Sequence, residues 1–292
     1  MFTRLMSYAA LSFVLLAGIA GSQEADSEKT HHGGCILIAP VEKAPSNLYR
    51  STGVETTDEF KPFTKTLSVY GITLIGREAV SDPFIEKIAI TIREMFPQED
   101  GIDTDKQKEV LSSMYEHRVA IPLFKGEPGF ETDEDWAAYA ALKRTNSICD
   151  IIAEIEERQV MEVVEHILHH VTDVGLHYAF PDEWGISKTS KLNQFMLKAI
   201  EKGYYDASSY GDYEDPVSRR VMLQEFAYIV ITTAWDLQEP YGGGGGEWTR
   251  GGTIANSTDM KEKMPRLFEM YEQTVAKVMA VPSRSTLEEF NE

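Results

Sequence analysis

Cysteine is scarce in this sequence: only Cys35 and Cys149 occur among its 292 residues. A metal site made from two thiolates so far apart in the chain is not expected, because structural zinc sites use closely spaced Cys and His ligands. In an oxidising compartment, two lone cysteines are expected to form one disulfide. Such a bond requires that the fold bring their Cα atoms close together.

Positive charge is also in short supply. The chain has 28 Lys and Arg against 47 Asp and Glu, which gives a formal net charge of −19. Phosphate backbones and anionic membranes are bound by clustered cations, so this balance argues against nucleic acid and lipid headgroups as partners. The hydrophobic share of 42% is that of a globular protein and excludes wholesale disorder.

Long apolar runs are absent after residue 22. At the start of the chain, Arg4 precedes an apolar run from Ala9 to Ala20, and small residues follow. This order is typical of a cleaved secretory signal peptide over 1–22, and the run is shorter than the about 20 residues of a membrane span. A membrane anchor is the alternative interpretation. We therefore expect a secreted or periplasmic mature chain with no membrane span.

The motifs of two common enzyme classes are missing. The sequence has no G-x-S-x-G nucleophile elbow. The pattern G-x-G occurs only within the glycine run Gly242–Gly246, where no strand–helix context surrounds it. These absences argue against a serine hydrolase of the elbow type and against a nucleotide-binding loop.

Patterning divides the rest of the chain into three parts. Residues 23–64 are polar and indicate an N-terminal arm or linker, and residues 282–292 form a polar tail. The domain between them, 65–281, opens with two predicted strands, Thr66–Gly76 and Arg118–Lys125, and Pro122 suggests that the second is an edge strand. Helical patterns dominate afterwards, so the predicted class is α+β. The predicted helices begin at Ser81-Asp82-Pro83, an N-cap followed by proline, and then cover Thr104–Glu116, Trp136–Leu142, Cys149–Val174, Ser190–Lys202, Pro216–Asp236 and Asp259–Ala280.

Four of the seven histidines lie within twelve residues, between His166 and His177. At 100° per residue, these four, Glu165 and Asp173 all fall within a sector of about 140° on one helix face. An amphipathic helix has a polar face in any case, where histidines are solvated or hydrogen-bonded to backbone carbonyls. The i, i+4 spacing of His and Glu is also that of helical zinc motifs, so the segment is a candidate metal site.

Two sets of ligands fit this spacing. In the first, His166 and His170 form H-x-x-x-H, with His177 or Asp173 as a further ligand. Ile167 then occupies the position where H-E-x-x-H has its general-base glutamate. This arrangement could hold zinc, but it lacks the group that takes a proton from the bound water.

In the second set, Glu165-His166-x-x-His169 has the spacing of H-E-x-x-H with the first two residue types exchanged. Glu165 and His169 would be ligands, and His166 would occupy the base position. Gly175 follows ten residues after Glu165. His170, from the first set, is the remaining candidate ligand.

In the second arrangement the sequence resembles the zincin metallopeptidases of the anthrax-lethal-factor-like type. In that family a helix with H-E-x-x-H turns at a glycine, and a later helix supplies a glutamate ligand. Val160–Gly175 matches the first helix, Leu192–Tyr210 resembles the connecting segment, and Gln224-Glu225-Phe226-Ala227-Tyr228 resembles the ligand helix. The likeness covers roughly Leu67–Leu237. It departs from the family where Glu and His are exchanged and where Tyr228 replaces a glutamate, which leaves Glu225 three positions earlier.

This resemblance implies a zincin-like fold and one Zn²⁺ held by Glu165, His169 and Glu225, a set of oxygen and nitrogen ligands that zinc accepts. It also implies that His166 activates or orients the attacking water. A tyrosine between the two helices would stabilise the oxyanion, and the candidates are Tyr204, Tyr205 and Tyr210.

The expected function is therefore that of an exported zincin-like hydrolase, acting on a peptide or protein substrate near the strand Arg118–Lys125. One alternative is a catalytically inactive relative that binds a partner or metal. Another is an α+β protein whose histidines form a pH-sensitive surface, which would melt differently between acidic and neutral pH and would not respond to a chelator.

Overall fold

The computed structural model describes residues 35–156, 158–242 and 254–291. The predicted signal peptide, 1–22, lies outside the described residues, as does most of the glycine-rich stretch before residue 254. The predicted α+β class is confirmed, because a five-stranded sheet occupies the N-terminal half and helices dominate the rest.

The strands of the sheet lie side by side in chain order. The first three pair antiparallel, and the last two are added in parallel. Helices cover both parallel connections, as such crossovers require. The strands are β1 (Glu55–Thr56), β2 (Lys65–Val69), β3 (Ile72–Gly76), β4 (Ala120–Lys125) and β5 (Ile152–Glu154).

The first predicted strand, Thr66–Gly76, is in fact a hairpin of β2 and β3. Its two turn residues, Tyr70 and Gly71, have φ angles of 48° and 82°. Two successive positive φ values are typical of a type I′ turn, whose twist matches that of the flanking strands. A Cβ on Gly71 would lie 2.7 Å from the carbonyl oxygen of Leu111, so close packing also requires glycine there.

The edge position suggested by Pro122 is wrong, because β4 lies between β3 and β5. Pro122 pairs with Ile75 of β3. On its other side, β5 pairs with β4 only from Leu123 onward, so the missing N–H of Pro122 removes no ladder bond to that strand. The outer strand next to the helical half is β5.

Three helices, α1 to α3, are interleaved with the strands, and the others follow β5. Side-chain oxygens of Ser81, Asp103, Ser190 and Asp215 accept hydrogen bonds at helix N-termini, so these helices begin where the sequence predicts. The helices are α1 (Asp82–Met95), α2 (Thr104–Glu116), α3 (Asp133–Lys143), α4 (Gln159–His170), α5 (His177–Ala179), α6 (Pro181–Trp184), α7 (Lys191–Glu201), α8 (Pro216–Ala234), α9 (Gln238–Tyr241), α10 (Ser257–Lys263), α11 (Pro265–Gln273), α12 (Val275–Val278) and α13 (Arg284–Glu288).

The predicted helix Cys149–Val174 begins ten residues too early, because β5 occupies part of that range and α4 starts at Gln159. At its other end, α4 continues through a π-helical turn, Val171–Leu176, into α5. Gly175 therefore does not end the helix. A Cβ there would lie 2.7 Å from Val110 Cγ1, so the glycine allows close packing against α2.

The regions outside the predicted domain also contain ordered structure. Residues 35–64 provide β1 and donate the N–H of Val41 to the carbonyl of Glu116. The polar tail includes α13 and the buried Phe290. The predicted last helix, Asp259–Ala280, is divided into α10, α11 and α12, and the first break occurs just before Pro265, which begins α11.

One apolar core joins the sheet to the long helices. The buried face of α4 contributes Val163, Val164, Ile167 and Leu168, and α8 contributes Phe226 among others. α4 packs against α8, so the polar side chains that lie between the two helices are close together. In the described part of the chain, every helix is too short or too polar to cross a bilayer.

Candidate metal centre

Helices α4 and α8 bring three predicted ligands together. One ligand atom each from Glu165, His169 and Glu225 lies within 4.8 Å of the other two. Nε2 of His169 is 3.7 Å from Oε1 of Glu225. The first two residues are one helical turn apart on α4, and Glu225 comes from the facing helix, so the site depends on the packing of α4 against α8.

The His169 ring is held in a single orientation by Asp150. Nδ1 of His169 lies 2.8 Å from Oδ2 of Asp150, and because a carboxylate only accepts, this nitrogen donates its proton. In the neutral ring, Nε2 then has a lone pair that points toward the two glutamates. A carboxylate behind a ligating histidine is the usual outer partner in protein metal sites.

Nε2 of His169 is a buried polar atom that has no hydrogen-bond partner within the described residues. The side chain is only 1% exposed, and Ile167 and Leu168 of the same helix are fully buried beside it. Buried polar atoms are nearly always bonded, so an unbonded nitrogen facing two carboxylates requires an explanation. A bound cation would satisfy it, and without one a proton on this nitrogen pairs with Glu225.

The charges around the ring favour a cation. Asp150, Glu162, Glu165 and Glu225 surround two imidazoles, which leaves a local excess of negative charge. Burial raises the pKa of Glu165, and Asp150 and Glu162 add to that effect against the opposing charges of the two histidines. Burial would lower the pKa of His169, but Glu225 and Asp150 together raise it. Both groups therefore hold their protons to a higher pH than usual.

His166, in the base position, lies between two carboxylates. Nδ1 is 3.4 Å from Oε1 of Glu162, and Nε2 is 3.7 Å from Oδ2 of Asp150. Although burial opposes the charged ring, these carboxylates raise the pKa of His166 to about 10. The imidazoles of His166 and His169 keep the pKa of Asp150 well below its usual range, although burial acts in the opposite direction. The raised pKa favours the imidazolium form of His166 at neutral pH, and in that form neither ring nitrogen can accept a proton.

The donor set fits a divalent ion of the zinc type. Zinc binds imidazole nitrogen and carboxylate oxygen at about 2.0–2.2 Å. Two donors 3.7 Å apart, such as His169 Nε2 and Glu225 Oε1, can both reach that distance from one ion between them. Glu165 completes a three-residue set, and a tetrahedral ion held by three residues would have a fourth position for water or substrate. Other first-row divalent ions accept the same donors.

His170 is not part of this group. Its Nδ1 donates to the backbone carbonyl of His166 at 2.7 Å, and its Nε2 accepts the N–H of Cys149 at 3.0 Å. Both nitrogens are therefore used by the backbone. Burial lowers the pKa of His170 to about 4, so the ring is neutral, as the acceptor role of Nε2 requires. Through these hydrogen bonds, His170 holds the segment that contains Asp150.

The first predicted ligand set does not assemble. Asp173 is paired with Arg220 at 3.1 Å, and His177 accepts the N–H of Ile186 through Nδ1. The reason is the π-helical turn, whose wider i→i+5 hydrogen bonding changes the direction of every later side chain relative to a regular helix. The sector of about 140° assumed 100° per residue throughout, which does not apply beyond His170.

The predicted catalytic tyrosines have other contacts. Tyr205 is buried, and its hydroxyl donates to the carbonyl of Met222 at 3.3 Å. The ring of Tyr204 lies 5.5 Å from the ammonium of Lys202, and Tyr210 packs on the core from a short 3₁₀ turn. A different aromatic ring is next to the site: Tyr228, whose centroid is 5.3 Å from that of His169.

Two acidic residues near the histidines were missed by the sequence reasoning. Glu162 lies one turn before His166 on the same helix, so its i, i+4 spacing was a usable signal. Asp150 lies outside the helix and reaches His169 only through the fold, so no local pattern indicates it.

The predicted disulfide is present, and it joins Cys35 to Cys149, the residue before Asp150. The backbone N–H of Cys35 also lies 3.4 Å from Oδ2 of Asp173. The bond therefore attaches the first described residue of the chain to the segment that orients His169. Comparison of the chain with protein-family models, curated proteins and solved structures found no match.

Proposed function

We propose that this protein is an exported, zinc-dependent hydrolase of the zincin-like type. The ion would be held by Glu165, His169 and Glu225. The observation that supports this most directly is the unbonded, buried Nε2 of His169, which faces both glutamates. Export is supported by the disulfide, which forms in oxidising compartments, together with the signal-peptide pattern of the first 22 residues.

The likeness to the zincin metallopeptidases supports the peptidase class of the proposal. That likeness consists of short motifs. The two motif segments lie on the facing helices α4 and α8, an arrangement that is expected of the ligand helices in that family. The exchanged motif places His166 where the family has its catalytic glutamate.

A bound ion would supply a more acidic water at the open coordination position. The chain's own residues have separate tasks. Asp150 fixes the tautomer of His169. The glutamates would balance the charge of an ion and so leave its water less acidic than two neutral imidazoles would. His166 would orient that water by hydrogen bonding, and it could take up a proton only if the ion displaced the proton it already holds.

A second candidate function is metal binding without hydrolysis. The contacts of His166 with Asp150 and Glu162 favour it, because they keep the ring protonated in the position where a base is needed. In this case the centre would bind the ion, and its water would not be activated.

Metal analysis of the purified mature protein tests the common part of both candidates. We expect one equivalent of zinc in the wild type and loss of that zinc in His169→Ala. His177→Ala is a matched control on the same helical segment, since His177 bonds the backbone of Ile186 instead. Less than one equivalent, unchanged by His169→Ala, would remove the metal site.

Hydrolysis assays separate the two candidates. An active enzyme should cleave an unfolded protein such as casein in the zinc-loaded state, and His166→Ala should reduce the rate. Zinc binding with no cleavage in either protein would leave the second candidate and exclude the first.

A further inference from the structure

Strand β5 is the outer strand of the sheet beside α4, the helix that contains the candidate ligands Glu165 and His169. Its inner side pairs with β4, and the carbonyl of Glu154 accepts the N–H of Gly126 on that side. The backbone groups of Ala153 therefore point outward, because successive residues of a strand alternate in the side to which they hydrogen-bond. An outer strand with unbonded groups is where an extended peptide adds to a sheet.

In this protein the outward groups already have partners from the start of α4. The N–H of Ala153 donates to Oε1 of Glu162 at 2.9 Å, and the side-chain amide of Gln159 donates to the carbonyl of Ala153 at 2.9 Å. Oε1 of Gln159 accepts the N–H of Ile155 at 2.6 Å. Three consecutive outward groups are thus bonded by two side chains.

Gln159 is the centre of this arrangement. The residue is only 2% exposed, and both ends of its amide are bonded to the backbone of β5 and the residue after it. It presents one donor and one acceptor, as a residue of an added strand would. An incoming peptide would have to displace this buried side chain. The displacement would break the hydrogen bonds of Gln159, and no unsatisfied group of Gln159 would gain a partner in return.

Glu162 connects this edge to the metal centre. The same Oε1 that accepts from Ala153 lies 3.4 Å from Nδ1 of His166. The closed edge and the candidate site are therefore neighbours, and any ligand that lay along β5 would pass the base position.

We propose that Gln159 and Glu162 take the place of a substrate strand on β5, so that the metal centre acts on ligands that reach it without extending the sheet. This inference rests on the proposed function, because it concerns which substrates reach the proposed metal centre. It excludes substrates that bind as an added strand along β5 and leaves those that reach the centre from another direction. Removing the amide of Gln159 should open the edge.

Hydrogen exchange and peptide binding test the proposal on the metal-free full mature chain. The probe is a short fluorescein-labelled peptide of alternating valine and threonine, followed by fluorescence anisotropy. We expect slow exchange at the Ala153 and Ile155 amides and no measurable binding in the wild type. In Gln159→Met, exchange at Ile155 should accelerate, and the probe should bind measurably, with an affinity about tenfold or more above the wild-type detection limit, the equivalent of one good hydrogen bond.

Gln194→Met is the matched control, because Gln194 also bonds a backbone carbonyl near the start of its helix, α7, far along the chain from β5. It should behave as the wild type. Gln159→Glu, which keeps the acceptor for Ile155 and loses the donor to Ala153, serves if the methionine variant does not fold, and it should bind the probe more tightly than the wild type.

Binding of the probe by the wild type, with added protection at Ala153, would show that the edge is open and would overturn the proposal. Equal affinities in wild type and both Gln159 variants would overturn it as well. Neither readout involves zinc or hydrolysis, so failure here is distinguishable from failure of the metal analysis described above.

Discussion

Asp150 accepts a hydrogen bond from Nδ1 of His169 at 2.8 Å, and this bond directs the opposite nitrogen of the ring toward Glu225. The relationship joins a loop residue to a residue in the middle of a helix. It selects the neutral tautomer that can bind a cation, and it restricts rotation of the ring. The properties of the candidate site therefore depend on the segment before β5 as much as on the two ligand helices.

Replacement of Asp150 should weaken zinc binding without removing any ligand. In Asp150→Ala we expect the zinc affinity to fall about 10- to 100-fold, the usual effect of losing an outer carboxylate partner. Competition with a chromophoric chelator measures it. Asp58→Asn is the control, since Asp58 forms an exposed ion pair with Lys61. An unchanged affinity in Asp150→Ala would show that the hydrogen bond does not support the site.

Replacement of His170 should lower stability and leave the zinc stoichiometry at one equivalent. In His170→Ala the buried N–H of Cys149 loses its acceptor, which costs about 1–3 kcal/mol. Denaturant unfolding in the absence of zinc measures the loss, and metal analysis of the same protein should still give one equivalent. A protein of wild-type stability that no longer binds zinc would instead make His170 a ligand.

Zinc affinity should rise with pH through the neutral range. Binding requires that His169 and the glutamates give up their protons, and the pKa values of His169 and Glu165 are both raised. Protons therefore compete with the ion at higher pH than they would for an ordinary histidine. Calorimetric titrations at several pH values, in buffers of different ionisation enthalpy, should show proton release on binding. No release would contradict the raised values.

Addition of one methyl group at Gly175 should destabilise the fold. The new Cβ of Gly175→Ala would lie 2.7 Å from Cγ1 of Val110, and such overpacking costs about 1–3 kcal/mol. Gly129→Ala is the control, because no atom lies within 4 Å of the added carbon.

The double variant Gly175→Ala with Val110→Ala tests the cause of that loss. Removing the valine methyl groups makes room for the new carbon, so the two changes should be less destabilising together than their sum. Additive losses in denaturant unfolding would mean that the contact with α2 is not the reason for a glycine at this position.

Helix positions could be predicted from the sequence where the end signals are local. Ser81, Asp103 and Ser190 each accept a backbone N–H three residues later, and the Ser81-Asp82-Pro83 signal marks the first of these caps in the sequence. The hairpin could not be predicted, because Tyr70 is an unusual residue at positive φ and the strands on both sides form one apolar run. β5 has three residues, too few to show a strand period within a helical pattern.

The candidate site was predictable to the extent that it lies on helices. The i, i+4 spacing places Glu165 and His169 on one face of α4, and the resemblance indicates Glu225 on the second helix. The structure brings all three together. The direction of His177 could not be foreseen, because nothing local in Val171–Leu176 announces a π-helical turn.

The bond between Cys35 and Cys149 closes a loop of 114 residues that contains β1 to β4 and α1 to α3, while the three candidate ligands lie beyond it. A single proteolytic nick anywhere in that loop, for example in the exposed acidic stretch before α3, would leave both fragments covalently attached. The nicked protein would run as one band on a gel until a reductant was added. Proteolytic damage to this protein in its oxidised state therefore has to be measured under reducing conditions.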